Sequence, residues 1–200
     1  MILKANLIEY YQRGMSLSEI AQKLNCSVHR VSYWMNKYRI PRRNRSDAMY
    51  LKLNPNGDPF NIKEINSLEE AISLGFGLGI YWGEGNKVSL HSIRVANSDP
   101  RMIKFFSSFL LDNCGVKPEK LGFSIVCFND SNVQEVGEYW SEYLGVPLNK
   151  FGKIVQIAPQ GKGTYRRKSK HGVCTVTVTN IKLKRWIMDR IEFLSNARVV

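Results

Sequence analysis

The chain is poor in the residues that staple or metallate small folds. Among 200 residues there are four cysteines and three histidines. Cys26, Cys114, Cys127 and Cys174 form no C-x-x-C pair, and His29, His91 and His171 do not stand at zinc-ligand spacing. A zinc finger and a disulfide scaffold are both excluded, and the thiols read as free in a reducing cytosol. Long apolar runs are missing too. The longest, residues 71–83, is too short to span a bilayer. Lys4, Asn6 and Glu9 interrupt any apolar stretch at the start, so no signal peptide is expected. The expectation is a cytoplasmic, nucleoid-associated protein with no membrane partner.

Acidic residues are scarce, 17 against 29 basic, for a net charge of +12. The imbalance is uneven. Residues 1–60 carry a net +6, residues 61–148 a net −4 and residues 149–200 a net +10. Two basic ends around an acidic middle suit a polyanion gripped at both ends. With 44% hydrophobic and 11% aromatic residues, the chain has enough apolar material for a packed core.

What is present at the amino end is a run of three short helical patterns. Leu3, Leu7, Tyr10 and Tyr11 recur at helical spacing until Gly14. A second helix is expected over 17–24, burying Ile20, Ala21 and Leu24. A tight turn follows at Asn25-Cys26, where Asn tolerates the left-handed conformation. Ser27 caps a third helix over 28–38, with Val31 and Trp34 facing inward. This is helix-turn-helix spacing. The outward residues of the third helix, His29, Arg30, Ser32, Tyr33, Asn36 and Lys37, can reach base edges and phosphates in a major groove, with Ser27 at its start. Arg42, Arg43 and Arg45 follow as a basic arm suited to the minor groove or the backbone. The expected organisation is a small all-α domain over 1–45, a linker over 46–66 dense in turn formers, and a second domain over 67–200.

Ser67 and Glu70 look like a capping box opening a helix to residue 85. Glycine costs a helix roughly 1 kcal/mol per site relative to alanine, so its glycines need a reason. Gly75, Gly79 and Gly83 lie four apart on one face. Such a stripe lets a second helix backbone approach closely, and two copies of the chain could cross there. Glu84 closes the stripe. Two Glu84 carboxylates meeting at such a crossing would be costly unless a divalent cation neutralised them.

The segment Leu78-Gly79-Ile80-Tyr81-Trp82-Gly83-Glu84-Gly85 resembles the signature helix of the LAGLIDADG homing endonucleases, with Tyr81 and Trp82 bulkier than usual. The resemblance implies that Glu84 is the acidic ligand of a catalytic Mg²⁺. Strands are expected over 91–97, 121–128, 151–158 and 173–179, and helices over 100–113, 133–144 and 183–194. Their order is similar to the LAGLIDADG core, and the helix at 133–144 is an addition to its minimal pattern. The expected fold class is therefore α+β: a helix-turn-helix domain followed by a LAGLIDADG-type core whose antiparallel sheet forms a saddle on DNA. One motif implies a homodimer through Gly75, Gly79 and Gly83.

In that saddle Arg94, Thr175 and Thr177 would face DNA. The loop over 160–171 holds five basic residues in twelve, and Lys162, Arg166, Arg167, Lys168 and Lys170 would lie on phosphates. Lys153, on the third strand, is the candidate for a basic catalytic residue near the scissile phosphate. The expected activity is Mg²⁺-dependent double-strand cleavage of DNA at a specific site. A catalytically silent transcription regulator derived from the same core is the alternative. An intron maturase is another, although nothing in the chain favours RNA.

Overall fold

The computed structural model describes residues 2–158 and 169–197. The chain divides into two compact units, Met1–Asp58 and Pro59–Val200.

The first unit is all helical: α1 (Lys4–Gln12), α2 (Leu17–Lys23), α3 (Val28–Lys37) and α4 (Arg45–Leu53). Its core joins Ile2, Leu7, Ile20, Ala21, Val31 and Met35. Two local devices set the helix starts. Ser16 Oγ accepts the Glu19 N–H at 3.2 Å while the Glu19 carboxylate accepts the Ser16 N–H at 2.6 Å, a complete capping box at α2. Ser27 Oγ accepts the Arg30 N–H at the start of α3. Asn25 makes the turn between them with φ of 45°, and the Cys26 N–H closes on the Ala21 carbonyl at 2.9 Å. Three expectations change. Leu3 is exposed, leaving Leu7 as the buried residue of α1. The inward partner of Val31 is Met35, one helical turn on, whereas Trp34 sits at the edge of the core stacked on Tyr38. Residues 46–66 are no open linker at their start. Asn44 caps α4 by accepting the Asp47 N–H at 2.8 Å, and Tyr50 is buried, with its hydroxyl donating to the Asp58 carboxylate.

The second unit begins its regular structure with α5 (Leu68–Glu84). Ser67 Oγ accepts the Glu70 N–H, but the box is not closed in the expected way. The Glu70 carboxylate takes the Asn66 N–H at 2.8 Å and pairs with Lys63 at 2.7 Å. Then come β1 (Ser92–Asn97), α6 (Pro100–Ser108), a π-helical turn Phe109–Asn113, β2 (Gly122–Phe128), α7 (Val133–Leu144), β3 (Val155–Ile157), β4 (Val173–Thr179) and α8 (Ile181–Asn196). The sheet order is β1-β4-β2-β3. Ile93, Val95, Ile125, Cys174, Val176 and Val178 turn one face of the sheet into the core, where they meet Phe106, Trp140 and Ile187. Period-two alternation leaves Arg94, Ser124, Thr175 and Thr177 on the other face.

The sheet is mixed, not antiparallel. β4 runs antiparallel to β1 and β2, but β3 runs parallel to β2. The cause is α7, which returns the chain to the same end of the sheet before β3 begins, as a crossover helix does. β3 is also shorter than expected, because Phe151 contributes a single bridge to Phe123 and the chain leaves the ladder until Val155. At the opposite edge, Gly85 bridges to Val95 and the Asn86 N–H donates to the Arg94 carbonyl at 2.9 Å, so the chain leaving α5 covers the outer side of β1. Among the described residues, no helix is long and apolar enough to cross a membrane.

Candidate nucleic-acid interface

In the first unit, burial of Val31 and Met35 fixes how α3 is rotated, and with it which side chains point outward. His29, Arg30, Tyr33, Asn36 and Lys37 are exposed and Ser32 is half-buried. The Lys37 ammonium lies 4.8 Å over the Trp34 ring and 5.9 Å from that of Tyr33, so an aromatic ridge holds the cation at the end of the helix. The Arg42 guanidinium donates to Ser32 Oγ, which brings the basic segment after α3 back onto its outward face. This surface sets hydrogen-bonding side chains and cations along one helix, the kinds of group that base edges and phosphates call for.

Two expected contacts have other duties. Ser27 spends its hydroxyl on the helix cap. Arg43 is not a free arm. Its backbone N–H donates to the Tyr11 hydroxyl at 2.7 Å, its guanidinium donates to the Gly14 carbonyl at 3.1 Å, and it lies 3.8 Å over the Tyr11 ring. Arg43 ties the segment after α3 to α1, while Arg39 and Arg42 in that segment and Arg45 at the start of α4 are exposed.

In the second unit the polar sheet face brings Arg94 directly opposite Thr177, with Thr175 opposite Ala96 on one side and Ser124 on the other. Lys170 is exposed at the approach to β4. Lys162, Arg166, Arg167 and Lys168 lie outside the described residues. Lys153 is exposed but stands before β3, not on it, and no ion pair joins it to Glu84.

Glu84 is the exposed last residue of α5. Among the described residues, a Cβ built on Gly75, Gly79 or Gly83 would meet nothing within 4 Å beyond the helix's own neighbouring backbone, so packing against these residues requires none of the three. They share an exposed face with Leu68, Ile72 and Phe76. Gly77, on the opposite side, is the glycine of α5 that the core itself demands. A Cβ there would stand 2.2 Å from the Phe109 ring.

The carboxyl end of α5 holds groups that motif reading passed over. The Lys184 side chain, 3% exposed, donates to the Tyr81 hydroxyl and to the Asn86 carbonyl, the latter at 2.6 Å. Lys87 donates to the Gly83 carbonyl at 3.3 Å. Two ammonium groups thus satisfy carbonyls where the helix dipole is negative. Burial pushes the Tyr81 hydroxyl up to about 12, and burial with the charge of Lys87 lowers Lys184. The sequence did carry a sign of this. Lys184 falls three and seven residues before Ile187 and Ile191, on the buried stripe of α8. Among the described residues, no group of three His, Cys, Asp or Glu side chains could hold a metal ion.

A family model described as a helix-turn-helix domain matches residues 3–43, which span α1 to α3 and the segment through Arg43. Comparisons with curated proteins and with solved structures give no match. The matched region marks the first unit as a DNA-binding domain.

Proposed function

We propose that this chain is a site-specific binder of double-stranded DNA that reads its target with α3. The observation that carries the reading is the outward row Arg30, Tyr33, Asn36 and Lys37, set by the buried pair Val31 and Met35 within the matched helix-turn-helix region. The test is selection of duplexes from a randomised library by the full chain. A consensus should emerge, and Asn36→Ala or Arg30→Ala should cost about 1–3 kcal/mol on that sequence while leaving binding to random DNA nearly unchanged. If no duplex is retained above random sequence, the proposal fails.

The finer reading is a homodimeric endonuclease of homing type. The exposed, unfilled stripe of α5 supports close approach of a second copy, and Glu84 stands at its end. A single chain offers Mg²⁺ one carboxylate here, which is a poor site. Two Glu84 side chains brought together across a dimer fit this ion, which takes one or two carboxylates and completes its shell with water and phosphate. When bound, the ion would supply charge neutralisation at phosphate and a more acidic water. The chain's own part would be to position the DNA through Arg94, Thr175, Thr177 and Lys170.

The two buried or helix-end lysines, Lys184 and Lys87, favour a second reading in which the core binds DNA without cutting it, since cations already occupy the carboxyl end of α5. Incubating the selected duplex with and without Mg²⁺ separates the readings. Double-strand cutting abolished by Glu84→Gln supports the endonuclease. Unchanged tight binding with no cutting by wild type supports the silent regulator.

A further inference from the structure

We propose that the second unit carries a binding site for a small amphiphilic carboxylate, in the cavity of about 310 Å³ that opens between α6, β2 and the segment after α7. Its walls are apolar. Leu121 and Phe123 contribute buried side chains, and Leu144 and Val146 half-buried ones. Its charges are of one sign, from Lys104 and Lys150, and no Asp or Glu is among its described lining residues.

Neither ammonium is neutralised by a neighbour. Lys104 is held 5.4 Å over the face of the Tyr143 ring, and no carboxylate pairs with it or with Lys150 among the described residues. An anionic head fits two such cations, and an apolar body fits the floor beneath them. The volume, at the lower end of what ligand sites enclose, suits a short chain or single ring.

Two features of the chain create the space. Gly145 ends α7 in the left-handed conformation with φ of 67°, and Pro147 then prevents the helix from resuming, so the chain turns off the α7 axis and Val146, Pro147 and Lys150 line the cavity across from α6. On the facing side, α6 does not continue as a regular helix but widens into the π turn Phe109–Asn113, which places Leu111 on the cavity wall. Such turns recur at functional sites.

The proposal is independent of whether the chain cuts DNA. It is tested by calorimetric titration of the full chain with sodium octanoate, and with 1-octanol as the uncharged comparator. Octanoate should bind saturably at one site per chain. The double variant Lys104→Gln/Lys150→Gln should bind it about tenfold more weakly, the scale of a lost charge-assisted contact, while octanol binds weakly and equally to both proteins. Ser108→Trp, at an exposed position on the cavity lining, should block octanoate while leaving the circular dichroism spectrum unchanged. Absence of saturable octanoate binding overturns the proposal. So does equal affinity in wild type and the double-lysine variant, or octanol binding as tightly as octanoate, because each would mean that the two lysines do not hold the anionic head.

Discussion

Among single residues, the glycines of α5 separate into two kinds that composition could not tell apart. Gly77→Ala forces a methyl group into the Phe109 ring and should destabilise the second unit by about 1–3 kcal/mol. Gly79→Ala meets nothing and should stabilise the same unit by up to about 1 kcal/mol through helix propensity. Amide exchange in β4 measures both, and similar shifts for the two would refute the distinction. If copies of the chain associate through this face, Gly79→Ala also weakens that association in sedimentation equilibrium, since its benefit to the monomer and its cost to the dimer have different causes. The four-residue spacing of Gly75, Gly79 and Gly83 was visible in the sequence. Gly77 was not distinguishable from them, because what it answers to is a phenyl ring thirty-odd positions away. Lys184 was half-visible, as a cation on an apolar stripe, but its partners Tyr81 and Asn86 come from another element.

For the helices and strands, local chemistry was the readable part. The helix spans 28–38 and 133–144, the turn at Asn25 and the alternation of β4 all rest on neighbours in sequence, and all stand close to where spacing put them. α4 was hidden because its Asn-Pro-Asn-Gly tail dominates the composition of the stretch, although Asn44 and Asp47 are an adequate start signal. The direction of β3 was hidden for another reason. A strand's polarity in a sheet depends on the connection before it, and α7 was legible as a helix without being legible as a crossover. The capping box at α2 gives a test with a definite sign. The Ser16 backbone N–H, then its hydroxyl, hold the Glu19 carboxyl below its ordinary value. The stabilisation is therefore complete above the usual glutamate range and disappears as pH falls through the lowered value. Amide protection in α2 should decline over that acid window in wild type and show no such step in Glu19→Gln. Ser16→Ala should cost the first unit about 1 kcal/mol at neutral pH.

Taken whole, the molecule has a charge distribution that gives its own prediction. Binding to a selected duplex should weaken steeply with added KCl, since released counterions dominate the affinity of basic proteins for DNA. Lys37→Gln should lower the slope of log affinity against log salt by about 1, with little change in sequence preference. An unchanged slope would remove Lys37 from the phosphate contacts. The chain that follows Glu84 has a further effect on how copies of the protein meet. By pairing with β1, Gly85 and Asn86 occupy a backbone edge that would otherwise accept a strand from another molecule. At the far side of the sheet, among the described residues, β3 brings Val155, Gln156 and Ile157 into the ladder. Fibril growth by edge-to-edge addition needs a long, flat, unprotected strand, and among the described residues neither edge provides one. A protein with so much exposed apolar helix can therefore be concentrated with less risk of β-aggregation than its surface hydrophobicity alone would suggest.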